Sequence, residues 1–344
     1  MTNPVLVDVT RGPLVESRHR GAVAVVDAAG RAVLALGDVA APVFPRSAVK
    51  AIQALPLVES GAADAFGFGK AELALAASSH GGEPRHVETV EAMLAAAGRG
   101  IMDLECGTHM PMSSVAERTL IRADRLAGPQ HNNCSGKHAG FVCTACHLGL
   151  DPNGYVEPDH PVQRAVTAAL SALTDTRLDD ANRGIDGCSI PAYAIPLERL
   201  ARAFARMATG EGLAPARAAA ARRILDACMA EPFLVGGSGR FCSEIMPLFP
   251  GRLMAKVGAE GVYCAALPDL GLGVALKIDD GAARAAEVAM AAVAGAFLSP
   301  DEGRAAAFEA LRRPPLRNRR ALVVGGLQPA AALVTALDGV ARSG

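Results

Sequence analysis

The chain has 344 residues, of which 51% are hydrophobic, 20% charged and 4% aromatic, and its formal net charge at pH 7 is −1. A nearly neutral chain without tryptophan has no global attraction to nucleic acid or anionic membranes and few rings for base stacking. Its first residues lack the pattern of a secretory signal, and no apolar run has the length of a membrane span. Eight cysteines in so long a chain favour reduced thiols, so we expect a cytoplasmic protein.

Apolar runs separated by a turn open the chain. VLVDVT, GAVAVVD and RAVLALGD have the pattern of strands, and the DAAG between the last two predicts a hairpin. Helices are expected in VFPRSAVKAIQALPLVES, where Pro45 can begin one, and in EPRHVETVEAMLAAAG, which ends at a glycine. An alanine-rich run that ends on the polar turn SSHGG lies between these two helices. The first part of the chain therefore predicts strands at about 4–37, followed by helices.

Helical patterns dominate the middle of the chain, from about 115 to 232. RLMAKVGAEGVYCAALPDLGLGVALKIDDG then predicts three short strands at about 252–278, and a last strand is expected in ALVVGG. Strands at both ends of the chain predict an α+β fold, an α/β sandwich in which helices pack on a mainly antiparallel sheet. No linker or repeat interrupts this pattern, so we expect residues 1–344 to form a single domain.

Lysine is scarce. Of the 34 basic residues only five are lysines, and the other 29 are arginines. Either residue can supply an exposed positive charge, but a guanidinium does not lose its proton in proteins, whereas an amine can. The lysines are therefore enriched for positions where arginine fails, unless drift alone has kept them. They are Lys50, Lys70, Lys137, Lys256 and Lys277.

Ser47 and Lys50 form an S-x-x-K motif at the start of a predicted helix, where a spacing of three places both side chains on one face. A desolvated lysine there can take the serine proton. Ser79, in SSHGG, and Lys256, in the predicted strand KVG, follow in the order of penicillin-binding-type serine hydrolases, although S-D-N is absent and valine replaces threonine. The motif indicates a serine–lysine amidohydrolase. The alternative is a capped surface helix.

Cys134, Lys137 and Cys188 lie in turns rich in glycine and asparagine that precede apolar segments. Thiolates suit a soft or borderline ion such as zinc, and a lysine can join them as a neutral amine. The alternative is a pair of buried thiols. Within the same stretch, QHNNCSGKHAG, we expect Ser135 to cap the helix that Lys137 begins.

Five blocks of sequence together resemble the rhizobial-type L-asparaginases, also called class 3 or thermolabile asparaginases. The blocks are PRSAVK, ASSHGGEPRHV, HNNCSGKHAGF, DGCSIPAYAIPL and AKVGAEGVY, and the resemblance covers nearly the whole chain. Such proteins resemble serine β-lactamases and penicillin-binding proteins in fold, so the resemblance implies that fold here. It also implies a homodimer.

The resemblance implies roles for ten residues. Two serine–lysine pairs would be catalytic, namely Ser47 with Lys50 and Ser79 with Lys256. A zinc ion would be bound by Cys134, Lys137 and Cys188. Groups at or near the substrate would be Arg46, His138 and Asp186.

The function that follows is hydrolysis of L-asparagine to L-aspartate and ammonia through an acyl-enzyme. We expect Ser47 to be the nucleophile and Lys50 its base, while Ser79 and Lys256 relay protons to the leaving ammonia. The zinc would orient the substrate rather than activate water. Two alternatives remain, a penicillin-binding-like serine peptidase or esterase and a non-catalytic zinc-dependent module that senses a small amide.

Overall fold

A computed structural model describes residues 2–341. The chain divides into two compact units. The first, here called the sheet unit, comprises Met1–Ala48, Ile195–Ala208 and Ile245–Gly344. The second, here called the helical unit, comprises Val49–Ala194 and Thr209–Glu244. The prediction of a single domain stays a prediction.

The strands of the two units are numbered in chain order. They are β1 (Val5–Arg11), β2 (Leu14–Asp27), β3 (Ala32–Leu36), β4 (Pro42–Val43), β5 (Arg183–Ile185), β6 (Pro191–Tyr193), β7 (Ile195–Pro196), β8 (Met254–Val257), β9 (Val262–Leu267), β10 (Leu272–Ile278), β11 (Pro315–Arg317) and β12 (Val323–Pro329).

The α-helices are numbered in the same way. They are α1 (Lys50–Gln53), α2 (Leu55–Glu59), α3 (Ala62–Ala65), α4 (Lys70–Ala76), α5 (Pro84–Ala96), α6 (Ser114–Arg122), α7 (Ser135–His147), α8 (Pro161–Thr174), α9 (Leu197–Thr209), α10 (Pro215–Ala230), α11 (Pro232–Val235), α12 (Phe241–Ile245), α13 (Ala283–Phe297), α14 (Ala305–Arg312) and α15 (Ala331–Ala341). Short 3-10 helices include Arg46–Val49 and Pro129–His131.

An eight-stranded antiparallel sheet forms the core of the sheet unit. Its strand order is β11-β12-β1-β2-β10-β9-β8, and β3 pairs with β2 in the predicted hairpin. The long strand β2 joins the two ends of the chain, because it pairs with β1 on one side and with β10 on the other, where Val25 lies opposite Val274. The predicted α+β class and the antiparallel sheet built from both chain ends are confirmed. The likeness to β-lactamases stays a prediction.

Apolar burial holds this sheet in place. Every residue of β9 is buried, so both faces of the sheet are covered there. Helix α13 packs on β9 and β10, and α9 approaches β10 so closely that a Cβ on Gly273 would collide with the carbonyl of Ala201. Glycine is required at that position because the strand and helix backbones meet there.

In the helical unit, α7 is buried from Ser135 to Ala145. It passes so close to α4 that a Cβ on Gly136 would collide with the carbonyl of Leu75. The predicted helices of the chain's middle are confirmed, but the short strands β5, β6 and β7 interrupt them and were not predicted. Within residues 2–341 no helix combines the length and apolar character needed to cross a membrane.

Candidate active site

Lys50 begins α1 and is only 1% exposed. Its Nζ donates to the carbonyl oxygens of Ser78, at 2.6 Å, and Asn133, at 3.3 Å, and lies 3.1 Å from Ser79 Oγ. The three oxygens surround Nζ within hydrogen-bond distance. The contact therefore places the Lys50 amine where it can exchange a proton with the Ser79 hydroxyl.

His80, next to Ser79, is fully buried and fastens this turn to the start of α7. The Gly82 N–H donates to His80 Nδ1 at 3.1 Å, so the neutral ring carries its hydrogen on Nε2. Nε2 then donates to Ser135 Oγ at 2.9 Å, and Ser135 donates to the Gln130 carbonyl at 2.9 Å. Burial, aided by the charges of His86 and Lys50, lowers the pKa of His80 well below its usual value.

The prediction that Ser135 caps α7 is wrong. Ser135 is the first residue of the helix, Cys134 is the N-cap, and the cap makes no side-chain hydrogen bond. The Ser135 hydroxyl is already engaged, because it accepts from His80 and donates to Gln130. A distant side chain, His80, and the carbonyl five residues upstream have displaced the local cap.

Cys134, Lys137 and Cys188 lie together, and each is at most 6% exposed. Lys137 Nζ donates to Cys188 Sγ at 3.1 Å. A hydrogen bond from the Cys188 thiol, together with the Lys50 and Lys137 charges, holds the pKa of Cys134 well below its usual value despite burial. The same hydrogen bond and burial raise the pKa of Cys188. The two sulfurs are therefore inequivalent, and Cys134 is the more acidic of the pair.

The surroundings of Lys137 favour its charged form. Burial opposes the charge, but the sulfurs of Cys188 and Cys134 and the Asp186 carboxylate outweigh burial and raise the pKa of Lys137. An ammonium has no lone pair, so Lys137 must lose a proton before it can bind a metal.

His138 follows Lys137 and is fully buried. Its Nδ1 lies 2.7 Å from the Tyr155 hydroxyl, and that hydroxyl also accepts the Glu105 N–H at 2.8 Å. Burial, followed by the charges of Lys137 and Lys50, lowers the pKa of His138 well below its usual value. Its other nitrogen, Nε2, is buried and has no hydrogen-bond partner within residues 2–341. A neutral ring therefore presents an unused polar atom.

A tight turn carries Asp186 and Cys188. The Gly187 N–H donates to Asp186 Oδ1 at 2.7 Å, and the Ser189 N–H donates to the Asp186 carbonyl at 2.9 Å. Ser189 has φ +74°, a left-handed conformation that costs a residue other than glycine on the order of 1 kcal/mol. Strain of this kind is frequent at functional sites and here adjoins Cys188.

In the sheet unit, Arg46 and Ser47 lie in the 3-10 helix Arg46–Val49, and both are half-buried. Arg46 also has a left-handed backbone, with φ +51°. Lys256, in β8, is fully buried and donates to the Val257 carbonyl at 2.9 Å. A Cβ on Gly258 would lie 2.5 Å from the Pro45 carbonyl, so the end of β8 passes directly beside the segment that carries Ser47.

The residues of this cluster have the chemistry of a zinc site. Two cysteine sulfurs and a lysine amine converge in a buried cluster, and all three are ligand types that a borderline ion accepts. Among the described residues, no group of three or more His, Cys, Asp or Glu side chains can hold a metal. A site made here therefore needs Lys137 as its third ligand. The residues present fit zinc on those terms.

The helical unit thus brings together Lys50 and Ser79, and also Cys134, Lys137 and Cys188. The contact between Lys50 and Ser79 was not predicted, and the predicted pairings of Ser47 with Lys50 and Ser79 with Lys256 stay predictions. Two residues that hold this cluster in place, His80 and Tyr155, were not predicted from the sequence, and Ser135 was predicted in a different role. The SSHGG block contains His80, but nothing local marks Tyr155.

No curated protein matches the chain. Two crystal structures of a protein named Mglu, one solved in 4.3 M NaCl, share 16% and 18% identity with it and cover 81% and 88% of it. The chain spans 61% and 70% of their lengths, and TM-scores of 0.35 and 0.36 are too low to support an argument. The family model described as L-asparaginase II matches residues 7–329, so the chain belongs to the L-asparaginase II family.

Proposed function

We propose that the protein hydrolyses L-asparagine to L-aspartate and ammonia through a serine acyl-enzyme. The observation that carries the proposal is a buried lysine amine, Lys50 Nζ, 3.1 Å from the Ser79 hydroxyl in a chain of the L-asparaginase II family. Serine and lysine in contact, shielded from water, are a nucleophile or relay together with its base. The reaction also requires the nucleophile, which we assign to Ser47 from the resemblance.

In the first step, Ser47 Oγ attacks the side-chain amide carbon as Lys50 takes its proton. The new C–O bond gives a tetrahedral intermediate, whose C–N bond then breaks. The leaving nitrogen receives a proton and departs as ammonia. Lys50 can pass that proton to Ser79, because the two side chains are in contact. Water then hydrolyses the ester, and its proton returns to Ser47 as aspartate leaves. Lys256 would assist this relay, a role that rests on the resemblance.

Charged groups provide for the two ends of the substrate. L-Asparagine carries an ammonium and a carboxylate, which a carboxylate and a guanidinium complement. We assign Asp186 to the ammonium, Arg46 to the carboxylate and His138 to a further polar contact. The Asp186 carboxylate contributes to the raised pKa of Lys137, so the two side chains are near each other.

Cys134, Lys137 and Cys188 would hold a zinc ion. Its charge would supply electrostatic orientation of the substrate's polar end, since two sulfur ligands make it a weak Lewis acid. Zinc content, measured by mass spectrometry, should fall in Cys188→Ala. Cys264→Ala, which removes a buried thiol from β9, serves as the matched control. Equal zinc in both variants would exclude Cys188 as a ligand.

The test of the function is ammonia release and intact-protein mass after acid quenching. Wild type should release ammonia from L-asparagine and show a transient acyl adduct. Ser47→Ala should lose activity by roughly 10³-fold or more and form no adduct. Ser114→Ala, an exposed serine at the start of α6, should behave as wild type. Near-normal turnover in Ser47→Ala contradicts the assignment. A stable adduct with a β-lactam instead would identify the penicillin-binding-like alternative.

The proposed assembly is a homodimer in the cytoplasm. Light scattering during size-exclusion chromatography should give twice the chain mass of 35.2 kDa. A single chain mass at micromolar concentration contradicts it.

A further inference from the structure

We infer that Tyr155 is a positioning residue that fixes the tautomer of His138, so that His138 presents an Nε2–H donor to an acceptor oxygen of the bound ligand. The inference rests on the proposed function for the identity of that ligand. The role of Tyr155 does not, because it follows from the contacts of two buried rings.

Within residues 2–341, one hydrogen-bond acceptor is in reach of the Tyr155 hydroxyl hydrogen. The Glu105 N–H donates to Tyr155 Oη at 2.8 Å, and a backbone N–H can only donate. The other neighbour of Oη is His138 Nδ1, at 2.7 Å. The Tyr155 O–H must therefore donate to Nδ1, and Nδ1 accepts.

The opposite arrangement leaves a buried group unsatisfied. If Nδ1 carried a hydrogen, Tyr155 Oη would receive two N–H groups, and its own hydrogen would have no acceptor within residues 2–341. Tyr155 is fully buried, so water does not replace the missing partner. A buried donor without a partner is disfavoured. The geometry selects the tautomer with Nδ1 bare.

Two further contacts hold the tyrosine in place. The Gln163 side chain donates to the Tyr155 carbonyl at 2.9 Å, and Glu105 Oε1 accepts the Gly154 N–H at 2.8 Å. The His138 and Tyr155 rings meet edge to face, with centroids 5.4 Å apart. These contacts fix the orientation of the tyrosine, so its hydroxyl is already directed at His138.

The consequence appears at the other side of the imidazole. With Nδ1 bare, the ring hydrogen is on Nε2, which is buried and has no partner among the described residues. A buried N–H without an acceptor awaits one. The ligand group that fits is an oxygen with a lone pair, a carbonyl or a carboxylate. In L-asparagine that is the amide or the α-carboxylate oxygen, and an N–H of the ligand would be repelled.

The direct test is histidine nitrogen NMR on ¹⁵N-labelled wild-type protein without ligand. The chain has eight histidines. The signals that disappear in the spectrum of His138→Gln are those of His138. We expect an unprotonated Nδ1 and a protonated Nε2. A protonated Nδ1 overturns the inference. This measurement uses wild type, so it decides the matter even if the tyrosine variants fail to fold or the protein does not hydrolyse asparagine.

Kinetics test the functional part. Tyr155→Phe should raise the KM for L-asparagine about tenfold with little change in kcat, because a ligand hydrogen bond weakens in both ground and transition states. Tyr193→Phe is the matched control, since that buried hydroxyl bonds only to Thr167 among the contacts of residues 2–341. In a His138→Gln background, which keeps an N–H but has no tautomer, Tyr155→Phe should have no effect. An unchanged KM in Tyr155→Phe overturns the inference. So does an equal rise in KM in Tyr193→Phe, or an equal rise when Tyr155→Phe is made in the His138→Gln background.

Discussion

The sheet core and the polar cluster at the start of α7 are both buried, yet they are held by different forces. Strand β9 is buried at every position and consists of apolar side chains and tyrosine. The cluster buries Lys50, His80 and Lys137 just as completely. Apolar burial stabilises in proportion to area and tolerates exchange, whereas each buried polar group must find a partner. The first region is built for stability, and the second accepts an unfavourable desolvation that the proposed chemistry would explain.

The largest expected effect separates the two regions by stability. Leu276→Ala, in β10, should lower the free energy of unfolding by about 2–5 kcal/mol, because it removes a buried side chain and leaves a cavity in the core. The measurement is equilibrium denaturation in urea. Activity of the remaining folded protein should be normal. A change of less than twofold in KM and kcat agrees with this expectation. A tenfold loss of activity would show that the sheet also shapes the chemistry.

Two glycines at close approaches sharpen the comparison. The methyl group added by Gly273→Ala must push β10 away from α9, and the one added by Gly136→Ala must push α7 away from α4. Both should cost roughly 1–3 kcal/mol of stability, because overpacking moves backbone rather than a flexible side chain. Only Gly136→Ala should also abolish turnover, because Lys137 and His138 follow it directly in α7. Parallel thermal melts and ammonia assays check both. Equal turnover in the two variants would contradict the difference.

The smallest effect is on pH dependence. Burial lowers the pKa of His80 in the folded protein, while an unfolded histidine titrates near about 6.5. Below that pH the unfolded state binds a proton at His80 that the folded state does not bind. The contribution of His80 to stability is therefore complete above about pH 6.5 and is lost as the pH falls. The slope is about 1.4 kcal/mol per pH unit for each such histidine. Three more histidines with lowered pKa values add to this slope, namely His86, His131 and His138.

The matched variant for this slope is His80→Gln, whose amide can still donate to Ser135. Urea denaturation at several pH values between 4.5 and 6.5 should give a slope smaller by one histidine's share. An identical slope in wild type and variant means that His80 titrates normally in the folded state.

Sequence patterns predicted the sheet well because its causes are local. Alternating apolar runs and the DAAG turn gave the hairpin of β2 and β3, and GAEG and PDLG gave β8 to β10. Strands β5 to β7 were missed because they have two or three residues each and contain glycine or proline, too short for a period.

The cluster was predicted by residue type and not by partner. Scarcity marked Lys50 and Lys137, and both are buried. Their partners lie 29 and 51 residues away, in Ser79 and Cys188, so no local pattern could pair them. Ser135 shows the same limit. Its sequence position favours a cap, but its hydroxyl instead contacts His80, which lies 55 residues away, and the nearby Gln130 carbonyl.

The most direct test of the account compares two lysines. Lys50→Met removes the buried amine at Ser79 and keeps most of the side chain's length, whereas Lys70→Met changes an exposed lysine at the start of α4. Ammonia release from L-asparagine should fall by about 10³-fold in Lys50→Met, in line with the loss of a general base. Lys70→Met should match wild type. Equal rates in the two variants, or no ammonia from wild type, would contradict the claim that the buried cluster performs the chemistry.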